Sequence, residues 1–95
     1  MGKLVRDRIP ELFGGNYYGM DEGQYKLELY KKLEEEVEEL LENPTSLEEM
    51  ADVAEVLSSI LKVNNYSLRD LTAKMDAKRI LRGGFEKRYY WERAK

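Results

Sequence analysis

Residues 29–57 read LYKKLEEEVEELLENPTSLEEMADVAEVL, and this stretch decides the fold. Leu29, Leu33, Val37 and Leu40 recur at spacings of four, four and three, the period of one face of an α-helix. Asn43-Pro44 ends that helix, because the residue before a proline avoids the α region. Beyond the break the apolar stripe resumes as Val53, Val56, Leu57 and Ile60. Thr45 or Ser46 supplies the N-cap of this second helix. Helices joined by so short a link fold back on one another as antiparallel neighbours.

The first helix is expected over residues 22–42 and the second over 46–64, where Asn64-Asn65 breaks it. A third helix is expected over 68–82. Ser67 is its N-cap, and Asp70 three residues later is a box-like partner. Lys78, Arg79 and Arg82 crowd its last turns, where cations suit the helix dipole, and Gly83-Gly84 stops it. Residues 1–24 are irregular, punctuated by Pro10 and Gly14-Gly15, and read as an arm with one short helical turn after Pro10. The tail, residues 85–95, carries Tyr89, Tyr90 and Trp91, which suit packing on a partner subunit or stacking on a base. The expectation is an all-α antiparallel helix bundle forming one domain over residues 1–95. A domain of 95 residues is marginal alone, since so short a chain buries only about 60–65% of its unfolded surface. Completion of the bundle by oligomerisation is therefore expected.

Composition narrows the chemistry. The chain contains no Cys and no His. Disulfides, thiolate sites and cysteine nucleophiles are excluded, as are imidazole bases and ligands. A metal site here must be built from oxygen, which favours Mg²⁺, Mn²⁺ or Ca²⁺. The net charge of −3 gives no case for nucleic-acid binding. No apolar run is long enough to span a membrane. The start, Met1-Gly2-Lys3-Leu4-Val5-Arg6-Asp7, lacks the apolar core of a signal peptide, so the expected compartment is the cytoplasm.

The acidic residues do not all fall where solvent would put them. At about 100° per residue, with Glu36 at zero, Leu29, Leu40, Leu33 and Val37 fall near 20°, 40°, 60° and 100°. Glu36 thus lies inside or at the edge of the apolar arc, and Glu39 lies about 60° to its other side. Glu34, Glu35 and Glu38 point away from it. On the second helix, with Asp52 at zero, Val56, Glu49, Ile60 and Val53 fall near 40°, 60°, 80° and 100°. Glu49 therefore sits within the arc and Asp52 at its margin. Glu49 has a competing assignment as the capping-box partner of Ser46; if Thr45 is the cap, Glu48 takes that part. Buried carboxylates are costly unless paired or bound to a cation. Glu36/Glu39 and Glu49/Asp52 are both i, i+3 pairs. On antiparallel helices the pairs converge, and a divalent cation relieves their repulsion.

Glu35-Glu36-x-x-Glu39 followed by Glu49-x-x-Asp52 resembles the E-E-x-x-E…E-x-x-D signature of MazG-like nucleoside triphosphate pyrophosphohydrolases. Lys3-Leu4-Val5-Arg6-Asp7-Arg8-Ile9-Pro10 and Arg82-Gly83-Gly84-Phe85 resemble the subgroup described as phosphoribosyl-ATP pyrophosphohydrolase-like. The resemblance covers nearly the whole chain. It implies an all-α bundle completed as a homodimer or homotetramer. It also implies Mg²⁺-dependent cleavage of a nucleoside triphosphate to monophosphate and pyrophosphate, with Mn²⁺ as an alternative ion. House-cleaning of non-standard nucleotides is the expected purpose. By motif, Glu36, Glu39, Glu49 and Asp52 would be metal ligands, and Glu35 and Glu36 are the catalytic candidates. The segment Gly14-Gly15-Asn16-Tyr17-Tyr18 departs from the pattern, which leaves the substrate open, because such loops often set it.

The phosphates of a nucleotide need cations. Lys74, Lys78 and Arg82 lie at i, i+4 and i+8 on the third helix, drifting only about 40° per step, and are the substrate-binding candidates. Arg6 and Arg8 on the arm are weaker ones. Two other functions fit the sequence. One is phosphoribosyl-ATP hydrolysis in histidine synthesis, which shares the metal logic. The other is a non-enzymatic helical oligomerisation module, in which Lys or Arg would pair with the inward acids.

Overall fold

A computed structural model of the chain describes residues 2–94. Met1 and Lys95, the outer ends of the expected arm and tail, lie outside the described residues. Among the described residues the secondary structure is entirely helical. The helices are α1 (Ile9–Leu12), α2 (Glu22–Glu42), α3 (Leu47–Val63) and α4 (Leu68–Arg82). The short turn expected after Pro10 begins one residue before it, as α1, so that Pro10 stands in the first turn where a missing N–H costs nothing.

Each long helix begins on a side-chain cap. Asp21 accepts from the Gln24 amide at 2.8 Å to start α2. Ser46, and not Thr45, caps α3, its hydroxyl accepting from the Glu49 amide at 3.2 Å. Ser67 and Asp70 form a reciprocal capping box on α4, as the sequence predicts. α4 ends at Gly83, whose φ of 78° is open to glycine and strained for other residues.

α2 and α3 form the packed part of the molecule, an antiparallel hairpin across the link from Asn43 to Ser46. Leu29 and Val56 are its buried apolar residues, with Leu33, Leu40, Val53 and Ile60 half-buried around them. Val37 and Leu57, counted in the stripes above, are 37% and 41% exposed. Both lie at the far margins of their arcs, where a two-helix interface no longer covers them. α4 meets α3 only lightly, and Leu71 is its sole half-buried residue. Ile80 and Leu81 stand 85% and 82% exposed. The radius of gyration is 17.1 Å, against about 12 Å for a compact globule of this length. One chain therefore folds as a helical hairpin with α4 and the tail splayed from it. No described helix is long and apolar enough to cross a membrane.

Candidate metal centre

The hairpin brings the inward acids together. Glu36, two turns from the end of α2, faces the first turns of α3, which carry Glu49 and Asp52. One carboxylate oxygen from each of these three residues lies within 4.8 Å of the others. Glu36 is only 6% exposed. Its Oε2, and Oε2 of Glu49, are buried without a hydrogen-bond partner among the described residues. A buried carboxylate oxygen without a partner is expensive, and this cluster holds two. Three carboxylate oxygens grouped in this way could hold a hard metal cation.

The competing assignment of Glu49 is settled by the cap. Its backbone amide donates to Ser46, but the Ser46 amide bonds to the Asn43 carbonyl. The Glu49 side chain is thus not used for capping and turns inward. Glu39 is half-buried, and its charge acts on Glu36, yet it stands outside the three-carboxylate set. The helical projection already put it on the far side of Glu36 from the apolar arc.

Cations border the cluster. Lys32, one turn before Glu36, donates to Glu35 Oε2 at 3.0 Å and pairs with Glu36 Oε1 at 3.3 Å. Lys3 of the arm bonds Glu35 Oε1 at 3.0 Å. Arg6 Nη2 donates to Asp52 Oδ1 at 2.7 Å. Burial raises the Glu36 carboxyl above its ordinary range, and the neighbouring Glu39 adds to this against the pull of Lys32. Burial also acts to raise Glu35, but hydrogen bonds and charge from Lys3 and Lys32 outweigh it and hold the group below its ordinary range. Burial would lower Lys32, yet its two glutamates leave it raised. Adjacent residues on one helix thus differ in kind. Glu35 is an ion-paired carboxylate at the rim, and Glu36 is a buried one with an oxygen to spare.

The basic stripe is arranged differently. Lys74, Lys78 and Arg82 are exposed, and among the described residues none shares a hydrogen bond or ion pair with the acids. Lys78 and Arg82 line a cavity of 680 Å³ with Arg79 and Phe85 at the end of α4; Lys74 does not. Arg8 pairs with Glu11 instead of reaching the cluster. Neither Lys3 nor Lys32 is among the site residues that the sequence suggests. Lys32 was detectable from its i, i+3 and i, i+4 spacing to Glu35 and Glu36. Lys3 was not, because its partner lies 32 residues away. No known family profile, curated protein or solved structure matches this chain.

Proposed function

We propose that the protein is a Mg²⁺-dependent nucleoside triphosphate pyrophosphohydrolase of the MazG-like kind, yielding a nucleoside monophosphate and pyrophosphate. The observation that carries this reading is that Glu36 and Glu49, each with a buried oxygen that has no hydrogen-bond partner among the described residues, stand with Asp52 in one three-carboxylate cluster. These three residues would hold the ion, with Glu39 as the fourth ligand that the motif implies. When bound, a divalent cation neutralises phosphate charge and makes water a better nucleophile. In the proposed reaction a water oxygen attacks the α-phosphorus. The bond from that phosphorus to the bridging oxygen breaks, pyrophosphate leaves, and the water's proton passes to a carboxylate. Of the two catalytic candidates, Glu36 belongs to the cluster itself. Glu35 enters through Lys3 and Lys32, which it holds at the rim where phosphate charge would gather.

Assembly belongs to the same proposal. The exposed apolar side chains of α4 and the tail, with Phe85 97% and Trp91 85% exposed, favour a homodimer or homotetramer. The α4 cations do not meet the acids within one chain, so an assembled neighbour is the natural source of that phosphate contact. Mn²⁺ fits the same oxygen donors. The cytoplasm suits a nucleotide substrate.

The Arg6–Asp52 and Lys32–Glu36 pairs favour a second reading, the non-enzymatic oligomerisation module, which needs the acids neutralised by the chain's own cations. It leaves Oε2 of Glu49 without a hydrogen-bond partner among the described residues. A substrate panel with Mg²⁺, including modified bases and phosphoribosyl-ATP, decides between them when the products are resolved chromatographically. Monophosphate and pyrophosphate are expected from at least one substrate. Absence of turnover across the panel would leave the module as the better account.

A further inference from the structure

The arm and the start of α2 line an open cavity of 710 Å³ that the acidic cluster does not use. Its volume falls in the range of small-molecule sites, about 300–1,000 Å³. Three of its lining residues are tyrosines, Tyr17, Tyr18 and Tyr25. Two of them are tethered. The Tyr17 hydroxyl donates toward the carbonyls of Phe13 and Gly14 at 3.2 and 3.3 Å. Its ring lies over Gly15, where an added Cβ would come within 3.3 Å of it at a φ of +148°. Gln24 Nε2 donates to the Tyr18 hydroxyl at 3.0 Å, leaving the amide oxygen of Gln24 as an acceptor on the same wall. Rings fixed before a ligand arrives lose little freedom on binding it.

The cavity is also tied to the acids. Lys3 and Arg6 line it, and these are the residues that bond Glu35 and Asp52. Glu28 lines it from α2, eight residues before Glu36, or about 12 Å along the helix axis. One molecule with an aromatic ring at one end and an anionic chain at the other spans that distance.

We propose that this cavity receives the planar heteroaromatic base of a nucleotide whose phosphates lie at the carboxylates. Tyr17, Tyr18 and Tyr25 offer faces for stacking, and Gln24 offers an amide to a base edge. The segment Asn16-Tyr17-Tyr18 thereby selects the substrate. The inference rests on the hydrolase reading for the position of the phosphates, but not for the base site itself.

Two measurements keep the claims apart. First, adenosine, cytidine, guanosine and uridine, none bearing a phosphate, are titrated into the full chain labelled at its tyrosine rings. Of the seven tyrosines, Tyr17, Tyr18 and Tyr25 should shift with at least one nucleoside, while Tyr30, Tyr66, Tyr89 and Tyr90 stay fixed. Second, Tyr25→Leu and Gln24→Ala are compared with the wild type on Mg²⁺-triphosphates. Loss of one stacking face should raise KM about ten- to a hundredfold and leave kcat nearly unchanged. The Gln24 variant, changed at one polar side chain, covers the case in which Tyr25→Leu fails to fold. Turnover with KM unchanged in both variants overturns the base site and spares the hydrolase. Nucleoside shifts at the three tyrosines without any turnover support the base site and count against the hydrolase. No shift with any of the four nucleosides overturns the proposal.

Discussion

Arg6 and Asp52 stand 46 residues apart in sequence, and the Arg6 guanidinium donates to the Asp52 carboxylate at 2.7 Å, fastening the arm to the mouth of the acidic cluster. The guanidinium occupies an oxygen of a residue that also belongs to the three-carboxylate set. A cation entering that set competes with Arg6 for Asp52. Arg6→Ala should therefore tighten Mg²⁺ binding about two- to fivefold, the scale of a half-exposed ion pair. Calorimetric titration measures it, and weaker binding by the variant would show that Arg6 supports the ion instead of competing with it.

Glu35 and Glu36 should respond to pH in opposite senses. The Glu36 carboxyl is raised, so what it contributes is present below the ordinary glutamate value of about 4.3 and is lost as pH rises through the raised value. In chelator at neutral pH, Glu36→Gln should unfold at a higher temperature than the wild type, with the gap closing near pH 4. Glu35 is lowered, so its contribution is present above the ordinary value and is lost as pH falls through the lowered one. Glu35→Gln should cost on the order of 1 kcal/mol at neutral pH and little in acid. Thermal unfolding at both pH values tests the pair; shifts of the same sign would contradict the environments described.

Much of this architecture is legible in the sequence. The three long helices, their breaks at Asn43-Pro44 and Asn64-Asn65, and the Ser67–Asp70 box follow from period and capping chemistry, which are local. The inward turn of Glu36, Glu49 and Asp52 is legible too, because helical projection separates them from Glu34 and Glu38. Three features are not. The choice of Ser46 over Thr45 depends on the path of the link. The clamping of the acids by Lys3 and Arg6 is a long-range contact of the irregular arm, which no periodicity encodes. The splaying of α4 depends on a helix whose apolar residues, Leu68, Leu71, Met75, Ile80 and Leu81, do not gather tightly on one face.

That splaying bears on assembly. Ile80→Asp combined with Leu81→Asp places two charges on adjacent exposed aliphatic positions. The wild type should sediment as a dimer or tetramer at micromolar concentration, and the double variant as a smaller species. A wild type that sediments as a folded monomer would refute the oligomeric account.

Catalysis should separate the acids from the α4 cations. Asp52→Asn keeps the shape of a ligand and removes its charge, so kcat should fall about a hundredfold or more. Lys78→Ala removes one of several cations, and its effect should be milder and fall mainly on KM. A larger loss from Lys78→Ala than from Asp52→Asn would move the reacting centre away from the carboxylates.

The most direct measurement is calorimetric titration of Mg²⁺ into the wild type, Glu36→Gln and Glu49→Gln at neutral pH. Among the described residues Glu36 and Glu49 each hold a buried oxygen without a hydrogen-bond partner, so each variant removes one of the charges a cation would neutralise. The wild type should bind in the millimolar range, and at ten times Kd the ion should add about 1.4 kcal/mol to folding stability. Neither variant should bind measurably. Equal binding by all three proteins would contradict the metal centre and the hydrolase built upon it.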